Sequence, residues 1–261
     1  MSKTIVLVHG AWMSPASWSG WKERYEGRGY RVVAPAWPFD DRSVEELNRS
    51  PAPELASVGV TEIVDHYERA IRALDEAPMI IGHSFGGLFT QLLLDRGLGV
   101  SGVAIDPAPI KGVLPALNAV RAGFGVISTW AGWRKVIRMS FADFQWGWVH
   151  DLPAAEQRAA YERFVVPTPG RPYFQGLVAP FTRTFAVDPA ARRAPLLLMA
   201  GLEDRTVPAS MVRAAYGIQR RSAARTEYME WPGRTHFLCA APGWEEIADK
   251  ALAWSEGAAV G

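Results

Sequence analysis

The stretch Met79-Ile80-Ile81-Gly82-His83-Ser84-Phe85-Gly86-Gly87-Leu88 decides how the rest of the chain is read. Met79 to Ile81 is a short apolar run of strand type, and Leu88, Leu92 and Leu93 continue a helix from Gly86. Between the two stands Gly-x-Ser-x-Gly, residues 82–86. A strand that turns sharply into a helix at such a sequence holds its serine in a strained backbone, with the hydroxyl presented at the sheet's edge. The flanking glycines let the chain turn without side-chain clashes. The helix N-terminus points at the serine, so its dipole favours negative charge developing there. Ser84 is therefore the candidate nucleophile.

The same rhythm extends outward from this turn. Further strand-like runs are Thr4 to Val8, Arg31 to Ala34, Val103 to Ile105, Leu196 to Ala200 and Thr226 to Glu230. Several are apolar throughout, as strands covered on both faces should be. Helical patterns lie between them. Ile63, Tyr67, Ala70, Ile71 and Leu74 share one helix face, Ser14-Pro15 reads as a cap with proline in the first turn, and Met211 to Tyr216 and Trp244 to Trp254 complete the set. Strand and helix in alternation predict a doubly wound, mainly parallel α/β sheet of about six strands. Binding sites in such sheets sit at the carboxyl ends of the strands. Residues 109–193 break the rhythm: they carry no clear buried strand, helix-like stretches such as Ala154 to Phe164, and a proline-rich exit. The expected organisation is a core of residues 1–108 and 194–261, interrupted by a helical insertion at 109–193. Residues 40–59 read as a long surface loop.

Composition removes several classes of function. The 261 residues hold 28 Lys and Arg against 27 Asp and Glu, a net charge of +1, which argues against a large footprint for nucleic acid. Cys239 is the only cysteine, so neither an intrachain disulfide nor a four-thiolate zinc site can form. The histidines are scattered with no His-Glu-x-x-His, and no Gly-x-x-x-x-Gly-Lys-Ser/Thr loop occurs, so neither metal nor nucleotide nor any other cofactor is expected. The first apolar run, Ile5 to Val8, is far too short for a membrane span or a signal-peptide core, and a cytoplasmic protein is the expectation.

Four motifs together resemble the α/β-hydrolase superfamily, and within it capped esterases, plant methylesterases and hydroxynitrile lyases. They are His9-Gly10-Ala11-Trp12 after the first strand, Gly82-His83-Ser84-Phe85-Gly86-Gly87 at the turn, Gly201-Leu202-Glu203-Asp204 after a later strand, and Thr235-His236-Phe237 near the end. The likeness spans nearly the whole chain, and residues 109–193 match in position the cap that such proteins carry. It implies His236 as the base that activates Ser84, with His9 and His83 bracing their turns. It implies Asp204 as the acid that orients His236. Asp106 competes for that role, because it ends another strand and some relatives take their acid from that position. The oxyanion hole is carried over to the backbone N–H groups of Phe85 and Ala11, with Trp12 as the alternative to Ala11.

The chain has 11 tryptophans. Trp12 is expected to wall the substrate pocket, and of Trp130, Trp133, Trp146 and Trp148 one or two are expected to face it, the others forming the insertion's own small core. That favours a small-molecule substrate with an apolar or aromatic group. The reading is a cofactor-free serine hydrolase of a small or medium carboxylic ester. Other chemistry on the same triad (acyl transfer, lactone, thioester or carbon–carbon cleavage, lyase chemistry) and a ligand-binding, non-catalytic role remain as rivals, because fold does not fix function. The oligomeric state is left open.

Overall fold

Apolar side chains on both faces force the central strands inside the molecule, and the computed structural model, which describes residues 2–258, has them buried along their whole length. The chain runs β1 (Thr4–Val8), α1 (Ser19–Glu26), β2 (Arg31–Val33), α2 (Val44–Arg49), α3 (Val60–Arg72), β3 (Met79–His83), α4 (Phe85–Asp95) and β4 (Ser101–Ile105). It then leaves the sheet for α5 (Leu117–Ile127), β5 (Val136–Ile137), α6 (Phe141–Gly147), α7 (Ala154–Phe164), β6 (Thr168–Pro169) and α8 (Arg171–Leu177). It returns as β7 (Leu196–Gly201), α9 (Ala209–Gln219), β8 (Thr226–Trp231) and α10 (Trp244–Ala258). Six strands form one parallel sheet in the order β2-β1-β3-β4-β7-β8. From β1 the chain builds outward to β2, then crosses back to β3 and continues the other way. The strand order reverses between β1 and β3, so the loops after these two strands part and leave a crevice.

Two apolar cores cover the sheet, one on each face. Val60, Ile63, Val64, Tyr67 and Ile71 of α3 join Leu88, Phe89 and Leu93 of α4 in one, and Trp21 and Tyr25 of α1 join Ile247, Ala251 and Leu252 of α10 in the other. Each is the 3.6-residue stripe that an amphipathic helix turns inward.

Two segments differ from the sequence reading. Residues 40–59 are not a surface loop: they contain α2 and a short 3₁₀ turn, Pro53–Ser57, with Leu47, Leu55 and Val58 buried. The reason is local. Ser43 and Glu46 form a capping box in which each side chain satisfies the other's backbone N–H. The excursion between β4 and β7 also holds more than helices, because β5 and β6 pair as a two-residue antiparallel ribbon. It has two parts. Helices α5 and α8 lie together, with Gly123 facing the Tyr173 ring. Helices α6 and α7 instead send Phe144 and Phe164 edge-on against Phe237, 5.7 and 5.6 Å between ring centres. Among the described residues no helix is long and apolar enough to cross a membrane.

Candidate active site

The turn after β3 is as sharp as its sequence demands. Ser84 has φ 58° and ψ −121°, a left-sided conformation that a side chain adopts only under constraint. Here the constraint is a set of backbone bonds: Ser84 N donates to Ile105 O at 2.9 Å, and Ser84 O accepts from Gly87 N and Ala108 N, both at 2.9 Å. Neither flanking glycine can be replaced without displacing backbone. A Cβ on Gly82 would enter the Gly86 carbonyl, and one on Gly86 would enter the Val8 carbonyl. Gly10 brings the loop after β1 against the same turn, where a Cβ would stand 2.8 Å from Ser84 Cβ. The N–H of Phe85, first in its helix and directly after Ser84, and that of Ala11 meet no backbone acceptor among the described residues. Trp12 follows at φ 60°, its carbonyl accepting from Val166 N at 3.0 Å and its indole N–H donating to Ile137 O at 3.3 Å.

Histidine and carboxylate meet at the carboxyl ends of β7 and β8. Asp204 Oδ1 accepts from Thr206 N (2.6 Å) and Val207 N (2.8 Å), which aims Oδ2 at His236. His236 Nδ1 donates to that oxygen at 2.6 Å, with both side chains fully buried. The bond fixes the imidazole tautomer and leaves Nε2 without a partner. Trp148 closes over the ring edge-on, 4.4 Å between centres. His83 Nε2 donates to the His236 carbonyl at 2.8 Å and so holds the loop that carries His236. Burial pushes the His83 imidazole well below its ordinary range, and takes His9 down to about 4 against a bond to the Gly10 carbonyl that partly offsets it. Asp106 makes no bond to His236. Its Oδ1 accepts from Gly201 N at 2.8 Å, and burial, reinforced by the nearby Asp204 carboxylate, pushes its carboxyl well above the usual carboxylate range. Donor atoms of His83, Asp106 and His236 lie within 4.8 Å of one another. Each of these residues already bonds inside the protein, His83 to the His236 carbonyl, Asp106 to Gly201 N and His236 to Asp204.

A sequence model of the alpha/beta hydrolase family matches residues 5–249. The chain belongs to that family. No curated protein matches it by sequence. Many solved structures share the fold with this hydrolase at low identity. A monoacylglycerol lipase from Paleococcus ferrophilus is 20% identical, with a TM-score of 0.67 over 97% of this chain and 93% of that one. A pyrethroid hydrolase from Sphingobium faniae is 15% identical, with a TM-score of 0.68 over 98% of each chain. An extracellular alpha/beta-hydrolase from a Paenibacillus species, likened to tobacco salicylic acid binding protein 2, is 18% identical, with a TM-score of 0.69 over 97% of this chain and 98% of that one.

The hydrolase has a cavity of about 280 Å³ that opens on Ser84, Phe85 and Trp12. Its walls are largely apolar and come from the segment after β4 (Ile110, Val113), from α5 and α8, and from Val207 and Met211. Lys111 is its one charged wall residue, and its ammonium is turned to the Thr182 carbonyl at 3.0 Å. Of the tryptophans expected at the pocket, Trp12 lines it. Trp130, Trp133 and Trp146 do not. Trp130 and Trp133 are exposed, the latter beside a separate shallow depression with Arg134 and Arg171, and Trp146 lies between Arg121 and Arg205. Trp148 touches His236 and lies outside the cavity wall. The true wall was missed because it is built of small and aliphatic residues: Ala119, Val120, Gly123 and Ile127 occupy one face of α5. Their helical spacing was the available signal.

Proposed function

We propose that this chain is a serine hydrolase of small or medium apolar carboxylic esters, working through Ser84, His236 and Asp204. The observation that carries the reading is the Asp204–His236 bond, which leaves Nε2 as the ring's only free acceptor. Ser84 Oγ attacks the ester carbonyl while Nε2 takes its proton, and Asp204 supports the resulting imidazolium. The N–H groups of Ala11 and Phe85 receive the oxyanion. The intermediate collapses, the alcohol leaves with the proton from Nε2, and water activated by the same nitrogen frees the acid. In the unliganded site Nε2 makes no hydrogen bond to Ser84; such contacts tighten when substrate binds. Residues 109–193 serve in this reading as a cap that roofs the cavity, whose apolar wall takes the substrate's hydrocarbon part.

A fluorophosphonate probe tests the nucleophile. Labelling should fall on Ser84 and vanish in Ser84→Ala, with ester turnover down by several orders of magnitude. Near wild-type turnover in a folded Ser84→Ala protein would end the proposal. A panel of p-nitrophenyl esters of rising chain length, beside a thioester and a lactone, separates ester hydrolysis from its neighbouring chemistries.

A further inference from the structure

Large apolar side chains are unevenly placed on this molecule. Of the eleven exposed among the described residues, nine fall between Leu114 and Phe181, within the excursion. Leu117, Val120 and Phe124 recur at i, i+3 and i+7 along one face of α5. Leu117 is 89% exposed and Phe124 62%, while farther along the excursion Leu177 is half exposed and Phe181 is 88% exposed. Leu114, Val120 and Leu177 are at once exposed and part of the cavity wall, so this apolar surface frames the opening that leads to Ser84. Solvated monomers rarely keep so many large apolar groups together on one face.

Charge follows the same division. Residues 109–193 carry eleven Lys and Arg against five Asp and Glu, whereas the rest of the chain carries seventeen against twenty-two. Arg134 and Lys135 follow the exposed Trp133, and Arg183 follows Phe181 at two residues' distance. All three are exposed, and none takes part in an ion pair among the described residues. Two such faces brought together would set positive charge against positive charge. Outside the excursion the described residues expose only Phe39 and Leu202 among large apolar side chains, which is too little to cover the patch from a second copy. An anionic lipid surface answers both features, because it accepts apolar side chains at its boundary and attracts the excess of basic groups that the excursion carries.

We propose that the face of the excursion around the cavity mouth is a docking surface for an anionic phospholipid bilayer. Docking would bring the mouth onto the lipid phase, so that an apolar ester dissolved there enters the cavity without crossing water. The surface is argued from exposure and charge, and it stands whether or not Ser84 is the nucleophile.

Sedimentation of the full chain with unilamellar vesicles tests this directly. The protein should pellet with vesicles of equal parts phosphatidylglycerol and phosphatidylcholine at about 0.1 M salt, with a blue shift of tryptophan emission, and bind phosphatidylcholine alone at least ~10-fold more weakly. The variant Leu117→Ser/Phe124→Ser/Phe181→Ser, altered only outside the cavity wall, should lose at least ~10-fold in vesicle affinity and keep p-nitrophenyl butyrate hydrolysis within about twofold. Lys135→Glu/Arg183→Glu should weaken binding to the phosphatidylglycerol vesicles and leave the phosphatidylcholine result unchanged. Failure of the wild-type chain to pellet, equal binding to both vesicles, or unchanged binding by both variants overturns the proposal. A lipid-free dimer that the triple serine variant abolishes also overturns it, since the patch would then join two copies.

Discussion

Asp106 and Asp204 end neighbouring strands and crowd the same buried spot, yet they hold different partners. Asp204 spends its oxygens on two backbone N–H groups and on His236, whereas Asp106 receives one N–H from Gly201, and burial favours its protonated form. An amide mimics a neutral acid well and a charged one badly. Asp106→Asn should therefore keep kcat within about tenfold of wild type, while Asp204→Asn, which can favour the wrong imidazole tautomer, should cost on the order of 10² to 10⁴. Measuring kcat for the two folded variants decides between them, and the reverse ranking would move the orienting role to Asp106. At this scale much was legible before the structure. Ser84, Asp204 and His236 stand just past strand ends, where sequence position already restricts what they can reach. The tryptophans were not legible. Which way an indole points depends on what packs around it, so Trp146 and Trp148, two residues apart, end between arginines and on the His236 ring respectively.

Elements, more than single residues, carry the stability arguments. Gly217 lies in α9 with negative φ, exposed, and with nothing near the place a Cβ would take. Gly217→Ala should raise stability by about 0.5–1 kcal/mol by restricting the unfolded chain, read as a higher urea midpoint at unchanged m. Asp40, at the entry to the α2 segment, is buried with one oxygen unpartnered, and burial raises its carboxyl to about 7 against a weaker pull from Arg42. Below pH ~4 it is neutral in both the folded and unfolded chain and costs nothing. Between pH ~4 and ~7 the unfolded chain ionises first and binds fewer protons, so stability falls as pH rises, and the deficit persists above that range. Asp40→Asn should thus stabilise the protein at pH 8, by up to ~4 kcal/mol, and hardly at all at pH 4. An equal gain at both values would assign the effect to packing. The surrounding segment shows why element boundaries were harder to read than the sheet. Strands announce themselves by continuous apolar runs, whereas α2 is six residues long and rests on the reciprocal Ser43–Glu46 bonds, a signal present in the sequence but faint beside its prolines.

Across the whole molecule, the cavity lies between the sheet's carboxyl edge and α5 and α8, so its depth depends on how the two bodies meet. Ala119 faces it from α5. On the proposed function, Ala119→Trp should fill part of the 280 Å³ and lower kcat/KM for p-nitrophenyl octanoate at least ~10-fold, with the butyrate ester within about threefold. Equal losses for both esters would place the acyl chain elsewhere. A parallel sheet of about six strands was readable because parallel strands must be buried, whereas its strand order comes only from the structure, and the β5–β6 ribbon, two residues per strand, is too short to leave a periodic trace. The division of the excursion into two parts bears on its exchange between relatives. Trp148, Phe144 and Phe164 belong to the packing of His236 and Phe237, and Thr206 Oγ donates to the Gly147 carbonyl at 3.2 Å. A chimera that swaps residues 109–193 as one block would strip His236 of its cover, and with it the dry surroundings in which the Asp204 bond is strong. The natural crossover points are inside the excursion: α5 and α8 with their loops form the part that can be traded, while α6 and α7 must travel with His236.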